Sequence, residues 1–309
     1  KDDAALISEK CNTNHYVLYF NSNDVWKDLR NLVLRIEEPV HSPAAYIQWI
    51  AWKKISKMGY KVILHGASND ELMMGYSYYP EIIDKNKLRN FIIPSKMQGS
   101  SIFYYKNIGR IIKWLLKKEL FFNKSVIKKH HPENPIFKKE FLNKNIENYN
   151  SISTILDSTD GESRRLADFK YLRIPFWNNF MDKSMMSIPV EVRFPFLDYE
   201  LVDFAMQIPS SMHYKNGWSK YLLRKLLDGK IPNEIIWKKN KVGFSVPKND
   251  WINNYSLLLK DRIFENQAVQ QIYDIDTLRA QWNHLEINQK WRIINFAIWS
   301  ELFELNTLN

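Results

Sequence analysis

Cysteine is almost absent from this chain of 309 residues, in which Cys11 is the only one. A single cysteine excludes a disulfide within the chain and any metal cluster built from several cysteines. The sequence also lacks an apolar run long enough to span a bilayer, and no signal-peptide pattern opens it. We therefore expect a protein without a membrane partner, in the reducing setting of the cytoplasm.

Acidic residues are the minority among the charged ones, since 44 Lys and Arg against 34 Asp and Glu give a net charge of +10. This excess suits contact with phosphates. Residues 80–159 are rich in lysine with aromatic residues in between, as in some proteins that bind nucleic acids. Charge runs of this kind more often form the solvated face of a helix, so we expect no nucleic-acid partner.

One stretch, KVILHGASNDELMMGY at residues 61–76, combines a short apolar run with polar and acidic residues. Its first part, residues 62–64, is typical of a buried strand in a parallel sheet. A turn follows in which Gly66 allows a ligand to approach the backbone closely. Asp70 and Glu71 then open a helical pattern. The stretch therefore predicts a strand, a turn and the start of a helix.

The first turn of this predicted helix has two interpretations. In open α/β sheets, ligands lie beyond the carboxyl ends of the strands, where a helix N-terminus favours anions. Asp70 is itself an anion and cannot bind a phosphate directly, but it can hold a magnesium ion that does. In the other interpretation, Ser68 or Asn69 simply caps an ordinary helix whose first turn is acidic.

The beginning of the chain alternates strand and helix signals. Residues 16–20 are strand-like, residues 24–38 form an amphipathic helix that ends at prolines, and residues 44–58 form a second helix. In the second helix we expect Trp49 and Trp52 to anchor the core. The order strand, helix, helix, strand predicts a parallel α/β sheet.

The densest group of charges lies in DKSMMSIPVEVRFPFLD, residues 182–198. The charged residues that are set among apolar ones there include Asp182, Lys183, Glu191 and Arg193. Charged groups in such surroundings must be paired or used in function. One interpretation is a binding site. The other is a buried ion network around Glu191 and Arg193 that only ties helices together.

Two later stretches complete the pattern. IWKKNKVGFSVP places Lys238, Lys239 and Lys241 beside a glycine turn. The chain closes on WRIINFAIWSELFEL, a helical pattern whose aromatic residues are expected to fill a core.

Taken in order, five stretches resemble the synthetase domain of the asparagine synthetase family. They are HGASNDELMMGY, EVRFPFLDYELVDFAMQIP, GWSKYLLRKLL, IPNEIIWKKNKVGFSVPKNDW and the terminal tryptophan-rich helix. The first is similar to that family's SGEGxDE and GY motifs, and the second is similar to its E-x-R-x-PFLD segment. The resemblance covers most of the chain outside residues 80–160. It is closest to family members associated with bacterial polysaccharide and natural-product genes.

The resemblance implies an α/β fold with a partial parallel sheet of the adenine-nucleotide alpha-hydrolase (PP-loop ATP pyrophosphatase) type, followed by a large and mainly helical region. It divides the chain into three parts. Residues 1–90 are the remainder of the nucleotide-binding core, and residues 91–160 are a basic helical insertion. Residues 161–309 are a helical region that carries the substrate and pyrophosphate motifs.

The resemblance also implies an ATP-dependent ligase that adenylates a carboxylate, releases AMP and pyrophosphate, and forms an amide with ammonia or an amine. Pyrophosphate leaves readily only when Mg²⁺ and cationic groups neutralise its charge. Asp70 matches the family's magnesium-binding aspartate, and Lys241 matches its pyrophosphate-contacting lysine. We therefore expect ATP and Mg²⁺ as cofactors and both residues as catalytic.

Further positions match family motifs around these two residues. The positions on the nucleotide side are His65, Gly66 and Glu71. The positions on the side of the acyl substrate are Asp182, Glu191 and Arg193. The substrate itself, a small-molecule, peptide or sugar carboxylate, is not set by these residues.

Two departures from the family pattern bear on the activity. Ala67 stands where the family has a glutamate tied to aspartate chemistry, and His65 replaces its first serine. The family's SGGxDS pyrophosphate loop and its glutaminase domain match nothing in this sequence, so we expect a C-terminal portion of a larger amidotransferase. Ammonia then comes from a glutaminase domain or from a partner chain.

Three other hypotheses stay open. The first is an amide-ring former similar to β-lactam synthetases or lasso-peptide cyclases, which use an amine of the substrate itself. The second is a catalytically degenerate binding module, of which Ala67 is a sign, although Asp70 and Lys241 are retained. The third is a basic RNA-associated protein, although no RNA-binding module is visible beyond the charge.

Overall fold

The structure, a computed structural model, describes residues 2–19, 25–84, 135–148, 150, 160–239 and 248–305. Lys241 and most of the predicted basic insertion lie outside these ranges. The α-helices are α1 (Asp2–Lys10), α2 (Val25–Ile36), α3 (Pro43–Lys57), α4 (Asn69–Leu72), α5 (Lys139–Lys144), α6 (Gly161–Ala167), α7 (Arg173–Met186), α8 (Tyr199–Gln207), α9 (Ser210–His213), α10 (Tyr221–Leu227), α11 (Asn233–Ile236), α12 (Lys248–Glu265), α13 (Gln267–Ile272), α14 (Ile275–Gln281) and α15 (Ile287–Leu302). A π-helix, Asp168–Leu172, joins α6 to α7, and 3₁₀ turns are formed by Pro195–Leu197 and Trp282–His284.

The sheet contains two parallel strands, β1 (Val62–Leu64) and β2 (Glu191–Arg193), which pair along all three residues. The predicted parallel strand is therefore confirmed, but its predicted burial is wrong. Leu64 is 72% exposed and Val62 is 43% exposed, whereas Ile63 packs on the main core. Side chains alternate between the two faces of a strand, and only one face of this sheet is covered in the part of the chain that the structure describes.

Helices α2, α3, α7, α12 and α15 contribute to the main hydrophobic core. Trp49 and Trp52 are buried in it, which confirms their predicted role. The indole N–H of Trp291 in α15 donates to the carbonyl of Val40 at 2.7 Å, and that of Trp49 donates to Ser187 Oγ at 3.0 Å. Both bonds satisfy buried donors. The first joins the segment after α2 to the last helix, and the second joins α3 to the end of α7.

The two helices predicted early in the chain are confirmed with small changes at their ends. Residues 24–38 correspond to α2, and residues 44–58 correspond to α3. Ser42 is the N-cap of α3, where its side chain accepts from the backbone N–H of Ala45 at 3.3 Å. Pro43 follows at the first helical position, which tolerates a residue without an N–H.

The strand predicted at residues 16–20 is wrong for the part that the structure describes, because residues 13–19 form no regular element. Tyr16 is 56% exposed and Tyr19 is 71% exposed. An apolar run becomes a strand only when a neighbour supplies its backbone hydrogen bonds, and sheet pairing in the described residues is limited to β1 and β2.

The described residues form a mixed α/β structure that is mostly helical, with a small parallel sheet. A smaller cluster, formed by Leu72, Met73 and Ala205, holds α4 against α8. Among the described residues, the helices are either too short or too polar to cross a membrane.

Candidate functional site

The candidate site lies at the carboxyl end of β1, where the chain turns into α4. The backbone N–H of His65 donates to the carbonyl of Arg193 at 2.9 Å, so pairing with β2 continues past the strand. Ser68 then takes a left-handed conformation, with φ 72°, directly ahead of α4. Ser68 is thus one of the two predicted N-caps, but its side chain makes no capping hydrogen bond. Since α4 has only four residues, contacts from elsewhere must fix its position.

Asp70, the predicted metal ligand, is held by a lysine that is distant in sequence. Its Oδ1 lies 2.7 Å from Nζ of Lys220. The exposed fraction of the side chain is 27% for Asp70 and 23% for Lys220, whereas the contacting oxygen Oδ1 is buried. The pair therefore lies at the edge of the solvent, with its contact covered. Lys220 itself is in the left-handed region, with φ 53° and ψ 33°, immediately before α10. The acidic first turn therefore does more than complement a helix end, because it makes a specific contact across the fold.

Gly75 provides the space in which this pair forms. A Cβ atom built on Gly75 would lie 1.9 Å from Oδ1 of Asp70 and 2.2 Å from Cε of Lys220. Both distances are far below a van der Waals contact, so any side chain at this position displaces one partner or both. The contact between Asp70 and Lys220 thus explains why glycine stands at this position of the GY pair.

Glu71, predicted on the nucleotide side, is buried beside Asp70. The hydroxyl of Tyr76 donates to its Oε1 at 2.5 Å. Burial raises the pKa of the Glu71 carboxyl, although the hydrogen bond from Tyr76 acts in the opposite direction. The described contacts of Glu71 therefore hold the turn together, and the more exposed Asp70 is the carboxylate that a ligand reaches first.

His65 braces the turn from the other side. Its Nδ1 accepts from the backbone N–H of Ala67 at 3.1 Å, and its Nε2 lies 2.8 Å from the amide group of Gln48. Because Nδ1 accepts, Nε2 carries the proton, and this assigns the Gln48 amide atom opposite it as the oxygen, the reverse of the placed orientation, in which the nitrogen lies there. Burial lowers the pKa of His65, which agrees with a neutral ring. Gly66, in contrast, is exposed, and a Cβ placed there would meet no atom within 4 Å.

A buried group of charged and aromatic residues adjoins this turn, and we call it the Asp168 cluster. Its members are Glu71, Tyr76, Tyr78, Tyr79, Arg164, Asp168 and Arg173. Asp168 is completely buried in the π-helix. Its Oδ2 accepts from the hydroxyl of Tyr78 at 2.5 Å, from that of Tyr79 at 2.8 Å and from Nε of Arg164 at 3.1 Å. A buried carboxylate thus has both the hydrogen bonds and the cation that it requires.

Arg173 joins the two ends of the Asp168 cluster. Its guanidinium carbon lies 4.2 Å from the ring centroid of Tyr76, and its Nε donates to the hydroxyl of Tyr78 at 3.0 Å. The same Nε is 3.7 Å from Oδ1 of Asp168. A continuous set of contacts therefore runs from Asp168 to Tyr76, the partner of Glu71, and so supports the single turn that carries Asp70.

The predicted acyl-side residues are placed differently. Nε of Arg193 donates to Oε1 of Glu191 at 2.7 Å, and the two side chains are 61% and 59% exposed. The interpretation as a buried ion network is therefore wrong, because residues i and i+2 of a strand share a face and this face of β2 is open. Asp182 is also exposed, on α7. The structure places Arg193 and Asp70 at the same carboxyl edge of the sheet, whereas it records no contact between Asp182 and either of them among the described residues.

Lys241 lies outside the described residues, but the segment that leads to it is described. Nζ of Lys239 lies 5.3 Å from the ring centroid of Trp218, and the rings of Trp218 and Trp237 are 5.5 Å apart at a tilt of 73°. Trp218 is two residues before Lys220. The segment that precedes Lys241 therefore packs on the turn that delivers Lys220 to Asp70. Lys238, in contrast, forms an exposed ion pair with Asp3.

Sequence reasoning missed Lys220, Gly75 and the Asp168 cluster. Lys220 stands in the quoted stretch GWSKYLLRKLL, but nothing in that stretch indicates its partner. Asp168 belongs to an ordinary helical pattern, and its partner Tyr79 is 89 residues away in the sequence. The one available signal was the run of tyrosines after Gly75, which is unusually polar for a core segment.

The side chains at this turn fit a Mg²⁺ ion whose other ligands are phosphate oxygens and water. Within the described residues, no group of three or more His, Cys, Asp or Glu side chains could enclose a metal ion. Mg²⁺ in phosphate sites commonly uses only one or two carboxylates, with phosphate oxygens and water as its other ligands. Asp70 offers one such carboxylate, and the ammonium of Lys220 already occupies a cation position beside it.

Comparison with known proteins gives a consistent result. The family model described as "Asparagine synthase" matches residues 1–301. Asparagine synthetase [glutamine-hydrolyzing] 1 of Bacillus subtilis (strain 168) is 25% identical over 308 residues, which cover 89% of this chain and 45% of that protein. A putative asparagine synthetase [glutamine-hydrolyzing] of Mycobacterium tuberculosis (strain ATCC 25618 / H37Rv) is 23% identical over an alignment of 334 residues, gaps included. The alignment covers 98% of this chain and 48% of that protein.

A shorter match extends to eukaryotes. Human asparagine synthetase [glutamine-hydrolyzing] is 32% identical over 101 residues, which cover 31% of this chain and 18% of that protein. The chain spans about half the length of the two bacterial relatives that it matches along most of its own length.

Proposed function

This chain belongs to the asparagine synthase family, and from that premise we propose that it is the synthetase part of an ATP-dependent carbon–nitrogen ligase. The proposed reaction adenylates a carboxylate, releases pyrophosphate, and forms an amide with ammonia or another amine while AMP departs. The two-stranded sheet is then part of a PP-loop type nucleotide-binding sheet. The proposed compartment is the cytoplasm, where ATP is supplied.

One observation carries this proposal: a carboxylate that is about a quarter exposed and an ammonium meet at the carboxyl edge of a parallel sheet, in a space that only a glycine leaves open. This edge is where α/β proteins bind nucleotides. A pair that served stability alone would not require a missing Cβ, and exposed pairs contribute little to stability. The position and the residue types both support a site for a polyphosphate and its cation.

In the proposed mechanism Asp70 would hold Mg²⁺, which would supply charge neutralisation for the leaving pyrophosphate. The Asp168 cluster keeps the turn of Asp70 in place without a contribution from solvent. Lys241, which follows the segment beside Trp218 in the sequence, is proposed to neutralise charge that develops as pyrophosphate leaves. His65 holds the backbone that follows Gly66, the position that matches the nucleotide-facing glycine of the family motif. Glu191, Arg193 and Asp182 are the exposed groups available to the acyl substrate.

The acyl substrate is proposed to be a small-molecule, peptide or sugar carboxylate other than aspartate. Ala67, in place of the family glutamate, removes a group tied to aspartate chemistry. The same replacement supports a second candidate, a ligase that closes an amide ring with an amine of its own substrate. In the first case ammonia is delivered by a glutaminase domain or partner chain, and in the second no ammonia is needed.

The experiment that tests the proposal is exchange of labelled pyrophosphate into ATP by the protein as its gene encodes it. Because adenylation is reversible, labelled pyrophosphate should enter ATP only when a suitable acid is present. The panel includes sugar uronates, aspartate and amino-substituted acids, of which the last distinguishes ring closure. A folded protein that shows no exchange with a broad panel contradicts the ligase, and leaves the degenerate binding module in its place.

The three neighbouring lysines provide a matched comparison within this experiment. Lys241→Ala should lower kcat by roughly two to four powers of ten, as for loss of a contact to developing charge. Lys238→Ala and Lys239→Ala should stay close to the parent protein, because exposed charges contribute little. Equal and modest losses in all three variants would make the stretch an ordinary basic surface and remove the pyrophosphate role of Lys241.

A further inference from the structure

The contact between Asp70 and Lys220 supports an inference that deepens the proposed function and rests on it. We infer that Lys220 belongs to the cation site as its resident counter-ion. In the metal-free protein its ammonium occupies the place at Oδ1 of Asp70 that a divalent cation takes, and the cation binds there by displacing it.

The distances make the two occupants mutually exclusive. Nζ of Lys220 is 2.7 Å from Oδ1 of Asp70, the distance of a close ion pair. Mg²⁺ binds carboxylate oxygens at about 2.0–2.1 Å and brings its own shell of water or phosphate ligands. An ammonium at its present position would overlap that shell, and two positive charges so close together repel each other. Binding of one therefore requires departure of the other.

Two features show that the pair is built into the fold rather than formed by chance between surface side chains. The first is the space at Gly75, where a Cβ would lie 1.9 Å from Asp70 Oδ1 and 2.2 Å from Lys220 Cε. The second is the backbone of Lys220, a residue with a Cβ that is held at φ 53°. That conformation is uncommon for residues other than Gly, Asn and Asp, and here it is adopted by the residue immediately before α10, from which the side chain reaches Asp70.

Lys220 can also leave without disturbing the core. Its side chain is 23% exposed, and a lysine has a flexible four-carbon stem with a strongly hydrated end group. The contacts described for Asp70 and Lys220 thus combine a defined resting position with a route to solvent. A metal that binds this site must compete with the lysine, and by reciprocity a bound metal must weaken the hold on Lys220.

Lys225 in α10, five residues after Lys220, is a matched control. It also forms an ion pair, with Oδ2 of Asp228 at 3.2 Å, and this pair is three residues apart in the sequence. Its described contacts are with Asp228 and with the ring of Trp237 and do not include Asp70, so metal binding at Asp70 should leave them unchanged.

The first test measures binding of Mn²⁺, a probe for Mg²⁺ at oxygen ligands, by calorimetry without nucleotide. Lys220→Met removes the competing charge and should tighten Mn²⁺ binding roughly three- to tenfold, in keeping with loss of one nearby charge. Lys225→Met should match the parent protein. Asp70→Asn should weaken binding by about tenfold or more, because the carboxylate ligand is lost.

The second test needs no variant and measures how fast an amine reagent modifies each lysine, followed by peptide mass spectrometry. Addition of MgCl₂ should increase the modification rate of Lys220 severalfold while that of Lys225 stays constant. In Asp70→Asn the rate at Lys220 should be high with or without the metal.

The outcomes separate this inference from the proposed function. If Asp70→Asn loses metal binding while Lys220→Met binds no tighter than the parent protein, the cation site stands and the role of Lys220 is overturned. A modification rate at Lys220 that ignores MgCl₂ while Mn²⁺ binds overturns it as well. If Asp70→Asn binds Mn²⁺ as the parent protein does, the metal assignment of the proposed function fails, and the counter-ion role fails with it.

Discussion

The Asp168 cluster and the exposed pair on β2 handle charge in opposite ways. Asp168 is fully buried and receives hydrogen bonds from Tyr79 and Arg164, which belong to separate segments. Glu191 and Arg193 are more than half exposed and bind each other across two residues of one strand. The first arrangement fixes segments relative to each other, whereas the second leaves both charges in contact with solvent and with any ligand.

The Asp70–Lys220 pair lies between these two extremes. It joins distant segments, as the Asp168 cluster does, yet both side chains remain about a quarter exposed. This combination suits a ligand site, because the geometry is fixed by the fold while both side chains lie at the edge of the solvent. The comparison therefore predicts that substitutions lower stability most in the Asp168 cluster and lower activity most at Asp70. Substitutions of the exposed pair on β2 should leave stability almost unchanged.

The largest effect on stability is expected for Asp168→Ala. The change leaves the buried guanidinium of Arg164 without its carboxylate and two tyrosine hydroxyls without an acceptor. Breaking a buried ion pair from one side costs about 3–5 kcal/mol. The free energy of unfolding from urea titration should fall by that amount, and Asp168→Asn, which keeps an acceptor oxygen, should fall less. A loss below about 1 kcal/mol for the alanine variant would show that the cluster does not hold the turn.

A smaller and different effect is expected for Gly75→Ala. The built Cβ meets the ends of two movable side chains, so Asp70 and Lys220 can shift and the fold should survive. We expect a change in unfolding free energy within about 1 kcal/mol, since Gly→Ala also restricts the unfolded chain. The acid-dependent exchange of pyrophosphate should nevertheless fall by at least roughly tenfold, as when a well-placed group is shifted. If the exchange rate of Gly75→Ala equals that of the parent protein, the space at Gly75 is not needed for activity.

The smallest effect on stability is expected on β2. Hydrogen bonding to Arg193 lowers the pKa of the Glu191 carboxyl, but both groups are exposed. Glu191→Gln and Arg193→Gln should therefore leave the thermal midpoint unchanged within the error of the measurement. Their effect should be confined to the KM for the acyl substrate, if these side chains contact it. A clear fall in the midpoint would mean that the open face of the sheet is covered in solution.

Local patterns in the sequence predicted the helices with a continuous apolar face. The periodicity of residues 24–38 and 44–58, together with Trp49 and Trp52, was sufficient because those helices are held by their own buried side chains. The parallel pairing of β1 also followed from its short apolar run and the turn after it. The exposure of β1 could not be predicted in the same way, because it depends on which elements cover each face of the strand.

Long-range contacts were beyond the reach of these patterns. Nothing local distinguishes Lys220 from the other lysines of the chain, and its role follows only from the position of Asp70 and the space at Gly75. The role of Asp168 could not be predicted either, since a charged residue in a helical pattern is normally solvated. The sequence therefore indicated Asp70 as one half of the candidate site, and the fold supplied its partner and its support.

The central claim, that Asp70 is the cation-binding carboxylate of an adenylating site, is tested most directly by pyrophosphate exchange in Asp70→Asn. Asparagine keeps the size of the side chain and removes the charge that holds Mg²⁺. With an acid that supports exchange in the parent protein, the rate should fall by on the order of a hundredfold or more. The thermal midpoint should barely change. Near-full exchange by the folded Asp70→Asn protein would contradict the account and leave the turn as an ordinary acidic helix start.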